Sequence, residues 1–150
     1  MSTLTNMQAL VASAKAVLDP AMKRLATLLP ACKEFHYGLG AGERELKVAI
    51  YAVCGPRESN EISHFSLSYL PGCREVMVLH GVAVDPTLRS LGVGALLHAC
   101  RLDIARGVGA KVVLCTVLSG NSAEKSIISR AGWRVALPVH GQVEMWSREL

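Results

Sequence analysis

The chain has 150 residues, of which 51% are hydrophobic and 19% are charged. This size and apolar content predict a single domain over residues 1–150 that buries a core without a disulfide or a metal site. The 16 basic and 12 acidic residues give a net charge of +4, and the basic residues are scattered. That charge suits an anionic ligand and gives no indication of nucleic-acid binding.

The five cysteines are odd in number and form no CxxC pair. Cys100 and Cys115 lie in apolar patterns, where cysteine acts as a small hydrophobic residue. We therefore expect a reducing compartment and no structural zinc. No segment is apolar enough for long enough to span a bilayer, and the N-terminus lacks the basic start and apolar block of a signal peptide. We expect a soluble, cytoplasmic protein that binds no membrane.

The first 30 residues have the periodicity of helices. Asp19-Pro20 predicts a break into two helices, at residues 5–18 and 20–29, because a residue before proline is disfavoured in helical geometry. Residues 31–45 contain three glycines, which predict an irregular connection.

Three strands are predicted next, at residues 46–54, 62–69 and 75–84, from their β-branched or alternating patterns. The third is almost continuously apolar, which suits the centre of a sheet. The elements predicted after it are a helix (95–106), a strand (111–117), a short helix (121–131) and a closing hairpin (133–138 and 142–148).

The helix at residues 95–106 is predicted to be amphipathic. Its pattern places Leu97 and Ile104 on the buried face and His98, Arg101 and Arg106 largely elsewhere. The strands on either side of this helix form a βαβ unit, so they should run parallel.

The stretch from Val76 to Gly94 predicts a strand, a glycine turn and a helix N-terminus. Gly92 and Gly94 remove side chains where backbone amides could approach a ligand, and the helix adds partial positive charge. These features favour a pyrophosphate site. A P-loop is excluded because no Gly-Lys-Ser/Thr is present, and a dinucleotide fingerprint would need a small residue in place of Leu97.

The segment RSLGVG, Arg89 to Gly94, resembles the acyl-CoA signature of the GCN5-related N-acetyltransferase (GNAT) family. That signature is Arg or Gln, two residues, Gly, one residue, then Gly or Ala. The segment from Asn121 to Gly132-Trp133 is similar to the second conserved helix of the family. The resemblance covers about residues 76–133, and the helical first 30 residues are atypical of the family.

The resemblance implies an α/β (α+β) fold of the GNAT type. Its sheet would be mixed and mostly antiparallel, with a parallel βαβ splay and helices on both faces. Acetyl-CoA would be the cosubstrate, without a metal. Its pantetheine arm would pair with the strand before the turn, and its pyrophosphate would lie on the turn. The residues implied to contact it are Val82, Ala83, Val84, Arg89, Ser90, Leu91, Gly92, Val93, Gly94 and Asn121.

Two of these residues have a structural alternative. Asn121 is a good helix N-cap, and Glu124 three residues later resembles a capping box, so cap and cofactor contact are both open. Arg89 could be a loop arginine exposed to water.

The implied reaction is direct attack of a primary amine on the thioester, which requires a neutral amine and a stabilised oxyanion. His80 is the candidate base, because the strand period places it on the face of Val78, Val82 and Val84 and imidazole titrates near neutrality. A histidine hydrogen-bonded within the sheet is the structural alternative. Weaker candidates are Asp85, His64, Glu61 and His36.

Many relatives have a tyrosine as general acid four residues before the Gly of the Gly-aromatic pair, and here that residue is Ile128. Either the thiolate leaves without a side-chain proton, or Ser119 or Cys115 assists, or the protein is a degenerate relative that binds CoA without turnover. A further alternative is an interaction module that forms a homodimer through the apolar N-terminal helices. The acceptor amine is open between a protein N-terminus, a lysine, a polyamine, an amino sugar and a modified nucleobase.

Overall fold

The computed structural model describes residues 3–56, 58–140 and 142–150, and within them three α-helices pack on one eight-stranded sheet. In chain order the elements are α1 (Thr3–Leu28), β1 (Cys32–Ala41), β2 (Glu45–Cys54), β3 (Asn60–Leu70), β4 (Cys73–Leu79), β5 (Ala83–Val84), a 3-10 turn (Pro86–Leu88), α2 (Val93–Gly107), β6 (Val112–Leu118), α3 (Ser122–Arg130), β7 (Arg134–His140) and β8 (Val143–Glu149).

The sheet order is β1-β2-β3-β4-β6-β8-β7, with β5 paired beside β3. Among the strand pairs of the described residues, β4 and β6 are the parallel pair, from Val76 opposite Val112 to Val78 opposite Leu114. The remaining pairs are antiparallel. This arrangement confirms the predicted fold class, a mixed and mostly antiparallel sheet with one parallel βαβ unit.

All three helices contact the same face of the sheet, rather than being divided between its two faces as expected. Ser13 Oγ on α1 donates to the carbonyl of Ile104 on α2, and Arg101 on α2 pairs with Glu124 on α3. The crossovers β4-α2-β6 and β6-α3-β7 step in the same direction along the sheet, so right-handed connections put both helices on one side. The sheet residues beneath the helices are buried; they include Val48, Phe65, Met77, Val113 and Trp146.

The other face of the sheet carries no helix in the part of the chain that the structure describes. We call it the open face; on β1 to β4 it is formed by His36, Gly38, Gly40, Lys47, Ala49, Tyr51, Glu61, His64, Ser66, Ser68 and Val78.

Helix α1 is continuous through Pro20, so the predicted break into two helices is wrong. Proline removes one backbone hydrogen bond, that to the carbonyl of Ala16. Both Pro20 and Ala16 are exposed, and water can hydrate the freed carbonyl. Leu18 and Ala21 on either side are completely buried, so packing holds both halves of the helix on the sheet.

The predicted irregular connection at residues 31–45 is also wrong, because most of it forms β1. Phe35, Tyr37 and Leu39 alternate toward the helices and pack against the core, while Gly38 and Gly40 lie on the open face. The side chains of β1 alternate between the two faces of the sheet as in an ordinary strand, but at the glycines one of those faces has no side chains to show the pattern. Tyr37 is anchored to α1 by donating its hydroxyl proton to Asp19 Oδ1, at 2.5 Å.

Cys32 and Cys54 form a disulfide between the start of β1 and the end of β2, with their Cα atoms 4.2 Å apart. The odd number of cysteines gave no sign of this bond. Disulfides persist mainly in oxidising surroundings, so the bond counts against the expected reducing compartment. Cys100 and Cys115 are free and buried, as predicted.

No helix within the described residues is long and apolar enough to cross a membrane.

Candidate active site

A gap opens in the sheet between β5 and β6. Strand β4 pairs with β6 through Val78 and ends at Leu79, earlier than the predicted end at Val84. The chain resumes as β5, which pairs with β3, while β6 continues to Leu118 along β8. The two parallel strands therefore separate toward their carboxyl ends, as the splay predicted for this βαβ unit requires.

Residues 80–82, which we call the break, connect β4 to β5. The amide of His80 still donates to the carbonyl of Ser66, at 2.9 Å. The amides of Gly81 and Val82 have no partner among the described residues. Unpaired backbone groups at the edge of a gap are available to a ligand.

The three residues predicted to face a pantetheine arm differ in what their backbone already binds. The carbonyl of Ala83 accepts from Ser63 Oγ at 2.6 Å, and that of Val84 accepts from Arg89 Nε at 3.3 Å. Both residues also belong to β5, which pairs with β3. Within the described chain, Val82 alone of the three keeps both backbone groups without a protein partner.

The turn before α2 is shaped by two residues with left-handed backbone. Ser90 has φ of 65° and Gly92 has φ of 91°. A Cβ on Gly92 would lie 3.6 Å from Leu28 Cδ2, so this glycine is required for its dihedral angle rather than for space. Gly94 has a different role, because a Cβ there would lie 3.4 Å from Ile127 Cδ1 on α3.

Gly92 is the N-cap of α2 and offers no side-chain hydrogen bond to the first turn. The first amides of α2 therefore have no partner within the described residues, and they carry the partial positive charge of the helix dipole. Arg89 lies exposed beside them. These features fit an anionic group such as a pyrophosphate.

Asn121 caps α3, because its Oδ1 accepts from the amide of Glu124 at 3.1 Å. The reciprocal half of a capping box is missing: the amide of Asn121 donates to the carbonyl of Leu118, at 2.9 Å, and the Glu124 carboxylate lies 3.5 Å from Arg101. The structural role of Asn121 is confirmed, and its contact with a cofactor stays a prediction.

A buried polar cluster lies behind the break, on the side of the helices. Arg101 is completely buried and His98 is 3% exposed, so the prediction that they lie away from the buried face is wrong. Arg101 Nη1 donates to the carbonyl of His80, and Arg101 Nη2 lies 3.5 Å from Glu124 Oε1. A buried guanidinium is tolerated because such partners replace its water.

His98 is the second member of this cluster. Trp133 Nε1 donates to His98 Nε2 at 2.9 Å, and Arg101 Nη2 lies 2.5 Å from His98 Nδ1. Burial is the largest cause, and together with the charges of Arg101 and Arg148 it lowers the pKa of His98 to about 3. The imidazole is neutral. The sequence signal for the cluster was a histidine and an arginine three residues apart on an otherwise apolar helix face.

His80 lies on the open face and is exposed. Its Nε2 is 3.4 Å from Ser68 Oγ. It shares this face with Val78, as expected. The expectation that it also shares a face with Val82 and Val84 is wrong, because those two pack against the core. The break shifts the alternation of the strand, so the His80 side chain and the β5 valines point to opposite sides.

His80 lines a groove of about 730 Å³ on the open face, together with Gly81, His64 and Glu61. His64 Nδ1 and Glu61 Oε1 are 3.0 Å apart. Two of the weaker base candidates therefore lie in the same groove as His80. Asp85 does not, because its carboxylate accepts from Thr87 and caps the 3-10 turn.

The residue at the usual position of the general acid, and the two residues considered in its place, are less accessible than those in the groove. Ile128 is completely buried. Cys115 is buried on the side of the helices, and burial raises the pKa of its thiol to about 12. Ser119 Oγ, just after β6, is buried without a hydrogen-bond partner among the described atoms. No group of three or more His, Cys, Asp or Glu in the described chain could hold a metal ion.

The sequence matches the family model of the acetyltransferase (GNAT) family over residues 27–133, which is more than half of the chain. No curated protein matches it.

Solved structures share the fold at low identity. An acetyltransferase from Bacillus subtilis in complex with CoA has a TM-score of 0.60 at 13% identity, covering 78% of this chain and 99% of that chain. An IAA acetyltransferase from Bacillus cereus ATCC 14579 has a TM-score of 0.59 at 15% identity, covering 88% and 87%.

A PaiA N-acetyltransferase from Thermoplasma acidophilum, in complex with coenzyme A, has a TM-score of 0.58 at 16% identity. The match covers 71% of this chain and 62% of that one, so this chain spans less than two thirds of that protein. At such identities the likeness to solved structures shows the fold alone.

Proposed function

Since the chain belongs to the GNAT acetyltransferase family, we propose that it transfers the acetyl group of acetyl-CoA to a primary amine by direct attack. The observation that carries this proposal is the gap between β5 and β6. The unpartnered backbone of the break lines its edge, and the uncapped positive end of α2 follows the same strand. CoA solved with two proteins of this fold supports the assignment of the gap to this cosubstrate.

The cosubstrate would supply an activated acetyl group, and the residues of this chain would hold and orient it. The amides of the turn from Arg89 to Gly94 suit its phosphates, and the free backbone of Val82 suits an amide of its pantetheine arm. The side chain of Asn121, at the neighbouring helix N-terminus, is proposed as a further contact.

His80 is the proposed base. Its exposed imidazole lies beside the break, where it could take a proton from an ammonium group directly or through a water molecule. The unpaired amides of Gly81 and Val82 are the available donors for negative charge that develops on the thioester oxygen. The new bond joins the amine nitrogen to the acetyl carbon, and the carbon–sulfur bond breaks. No described side chain is assigned as acid for the sulfur.

A second candidate function is CoA binding without catalysis, because the position of the usual tyrosine acid is the buried Ile128. Incubation with acetyl-CoA and a panel of primary amines, while free thiol is followed, separates the two functions. Thiol release that depends on the amine supports the transferase. In the same assay, His80→Gln should slow turnover by about 100-fold without weakening CoA binding. Thermal stabilisation by CoA with no thiol release from any amine favours the second function.

The phosphate site is tested by Gly92→Glu, which adds a negative charge at the cradle and a strained left-handed residue. Gly109→Glu is the matched control, because Gly109 also has positive φ, 79°, but lies beyond the other end of α2 with open space around it. Both variants carry the same strain and charge. We expect loss of CoA binding by calorimetry in Gly92→Glu alone, and equal CoA binding by the two variants would overturn the assignment.

A further inference from the structure

The groove on the open face is built from three cross-strand rows. Directly opposed residues of antiparallel strands point to the same side of a sheet, so the register defines each row. The middle row is Gly38, Ala49 and His64, one residue from each of β1, β2 and β3. The first two have no side chain larger than a methyl group, so this row forms a flat floor that ends at His64.

The two outer rows form walls. One outer row is His36, Tyr51 and Glu61, of which Tyr51 and Glu61 line the groove. The His36 and Tyr51 rings of this row stack 5.1 Å apart at 12°. The other wall contains Lys47 and Ser66, and the amide of His80 continues it by donating to the Ser66 carbonyl.

The Tyr51 ring leans toward the floor. A Cβ placed on Gly38 would lie 3.6 Å from Tyr51 Cε2, so the missing side chain leaves an aromatic edge uncovered. Tyr51 and Lys47 are four residues apart on β2, which puts their Cα atoms about 13 Å apart. That width, reduced by the two side chains, accommodates one flat ring.

The floor leads toward the break. His64 is opposite Ala83 of β5, and Gly81 lines the same groove. A ring centred between Gly38 and Ala49 is about 7 Å from the His64 position, since strands are about 4.8 Å apart. A short carbon chain ending in an amine spans that distance and places the nitrogen beside His64 and the break.

The charge of the groove argues against polycationic acceptors. Its described lining has one carboxylate, Glu61, and this carboxylate already pairs with His64. Lys47 adds a positive charge on the opposite wall. A polyamine or an amino sugar with several ammonium groups would leave most of its charges unpaired, whereas a single ammonium group matches Glu61.

From these observations we propose that the acceptor is a monoamine in which a flat aromatic ring carries the amine on a short chain. The ring lies on Gly38 and Ala49 against Tyr51, and the amine reaches Glu61, His64 and the break. The proposal rests on the proposed transferase function, and it assigns the substrate class and the residues that select it.

The test compares acetyl transfer to 2-phenylethylamine, spermidine, glucosamine and a lysine peptide, each with CoA thiol release as the readout. 2-Phenylethylamine should have a kcat/KM at least tenfold above the other three. Gly38→Leu fills the floor without backbone strain and should raise KM for 2-phenylethylamine at least tenfold. Ala41→Leu is the control, because Ala41 is exposed on the same strand but faces the opposite side; it should leave KM unchanged.

A binding measurement tests the assignment of the groove independently of catalysis. Calorimetry of 2-phenylethylamine with the CoA-loaded protein should show binding that Gly38→Leu weakens and Ala41→Leu does not. That result without any thiol release supports the groove and overturns the proposed function. A preference for spermidine, glucosamine or the peptide, or equal binding of 2-phenylethylamine to both variants, overturns the groove assignment.

Discussion

The two faces of the sheet differ in whether their polar residues are buried or exposed. On the side of the helices, Arg101 and His98 are buried and bind other protein groups. On the open face, His80 and His64 are exposed and line a groove. The first pair has its protonation and geometry fixed by the fold, while the second pair is accessible to a ligand and to water.

His80 joins the two regions, because its carbonyl accepts from buried Arg101 while its side chain lies on the open face. The helix-covered side of the sheet thus holds the backbone of the break, and the open face supplies the groups that we propose to contact the amine. A substitution in the cluster should therefore change stability and CoA binding together. One in the groove should change the recognition of the amine or the rate of transfer, and should leave stability and CoA binding unchanged.

The largest effect is expected from Arg101→Met, which keeps an apolar stem and removes the buried charge. Loss of one partner of a buried ion pair costs about 3–5 kcal/mol, since Glu124 and the His80 carbonyl both lose their donor. We expect a decrease of that size in the free energy of unfolding measured with urea. We also expect weaker CoA binding, because the backbone of the break loses its hydrogen bond to Arg101.

Arg106→Met is the matched control, on the same helix. Arg106 pairs with Asp103 at 3.0 Å, but both side chains are about half exposed, and such surface pairs contribute at most about 1 kcal/mol. Adding Glu124→Gln to Arg101→Met should restore part of the lost stability, because no buried carboxylate remains unpaired. Equal effects of Arg101→Met and Arg106→Met would show that the cluster does not support the break.

The next largest effect is a pH dependence of stability, which arises from His98 on the side of the sheet that the helices cover. The pKa of His98 is about 3 in the fold and about 6.5 when unfolded, so the unfolded chain binds a proton that the fold excludes. The contribution to stability is complete above pH 6.5 and declines as the pH falls from 6.5 toward 3. At about 1.4 kcal/mol per pH unit, stability should decrease by about 2 kcal/mol from pH 7 to pH 5.

Urea unfolding at the two pH values measures this decrease. His98→Gln should reduce it, while His36→Gln, which changes an exposed histidine of the open face, should leave it as in the unmodified protein. A pH dependence that persists in His98→Gln would place its origin outside the cluster.

The sequence predicted those features of the fold and of the candidate site that depend on local patterns. The glycine turn, the parallel βαβ unit and the helix capped by Asn121 each follow from patterns within one element or between elements that are consecutive in the chain. The continuity of the first helix through Pro20 could not be predicted in this way, because burial of Leu18 and Ala21 by other elements outweighs the local preference of proline.

The polar residues on α2 show a second limit. Helical periodicity assigns charged residues to solvent, but Arg101 finds partners in the break, at His80, and on α3, at Glu124, which are 21 and 23 positions away in the chain. The groove was hidden for a similar reason, since its floor exists only once β1 and β2 pair. The face of His80 depended on a break in the strand that period-two counting cannot detect.

The smallest effect concerns Asn121, at the carboxyl end of β6 where the gap lies. Asn121→Ala removes the hydrogen bond to the amide of Glu124 and should lower stability by about 1 kcal/mol. Asn121→Asp retains an equally good cap and should keep stability within a few tenths of a kcal/mol.

If the side chain also contacts CoA, the added carboxylate repels its phosphates, so Asn121→Asp should bind CoA more weakly than Asn121→Ala does. Calorimetry of both variants with CoA, beside urea unfolding, separates the two roles, and equal affinities would leave Asn121 with its helix cap as its only function.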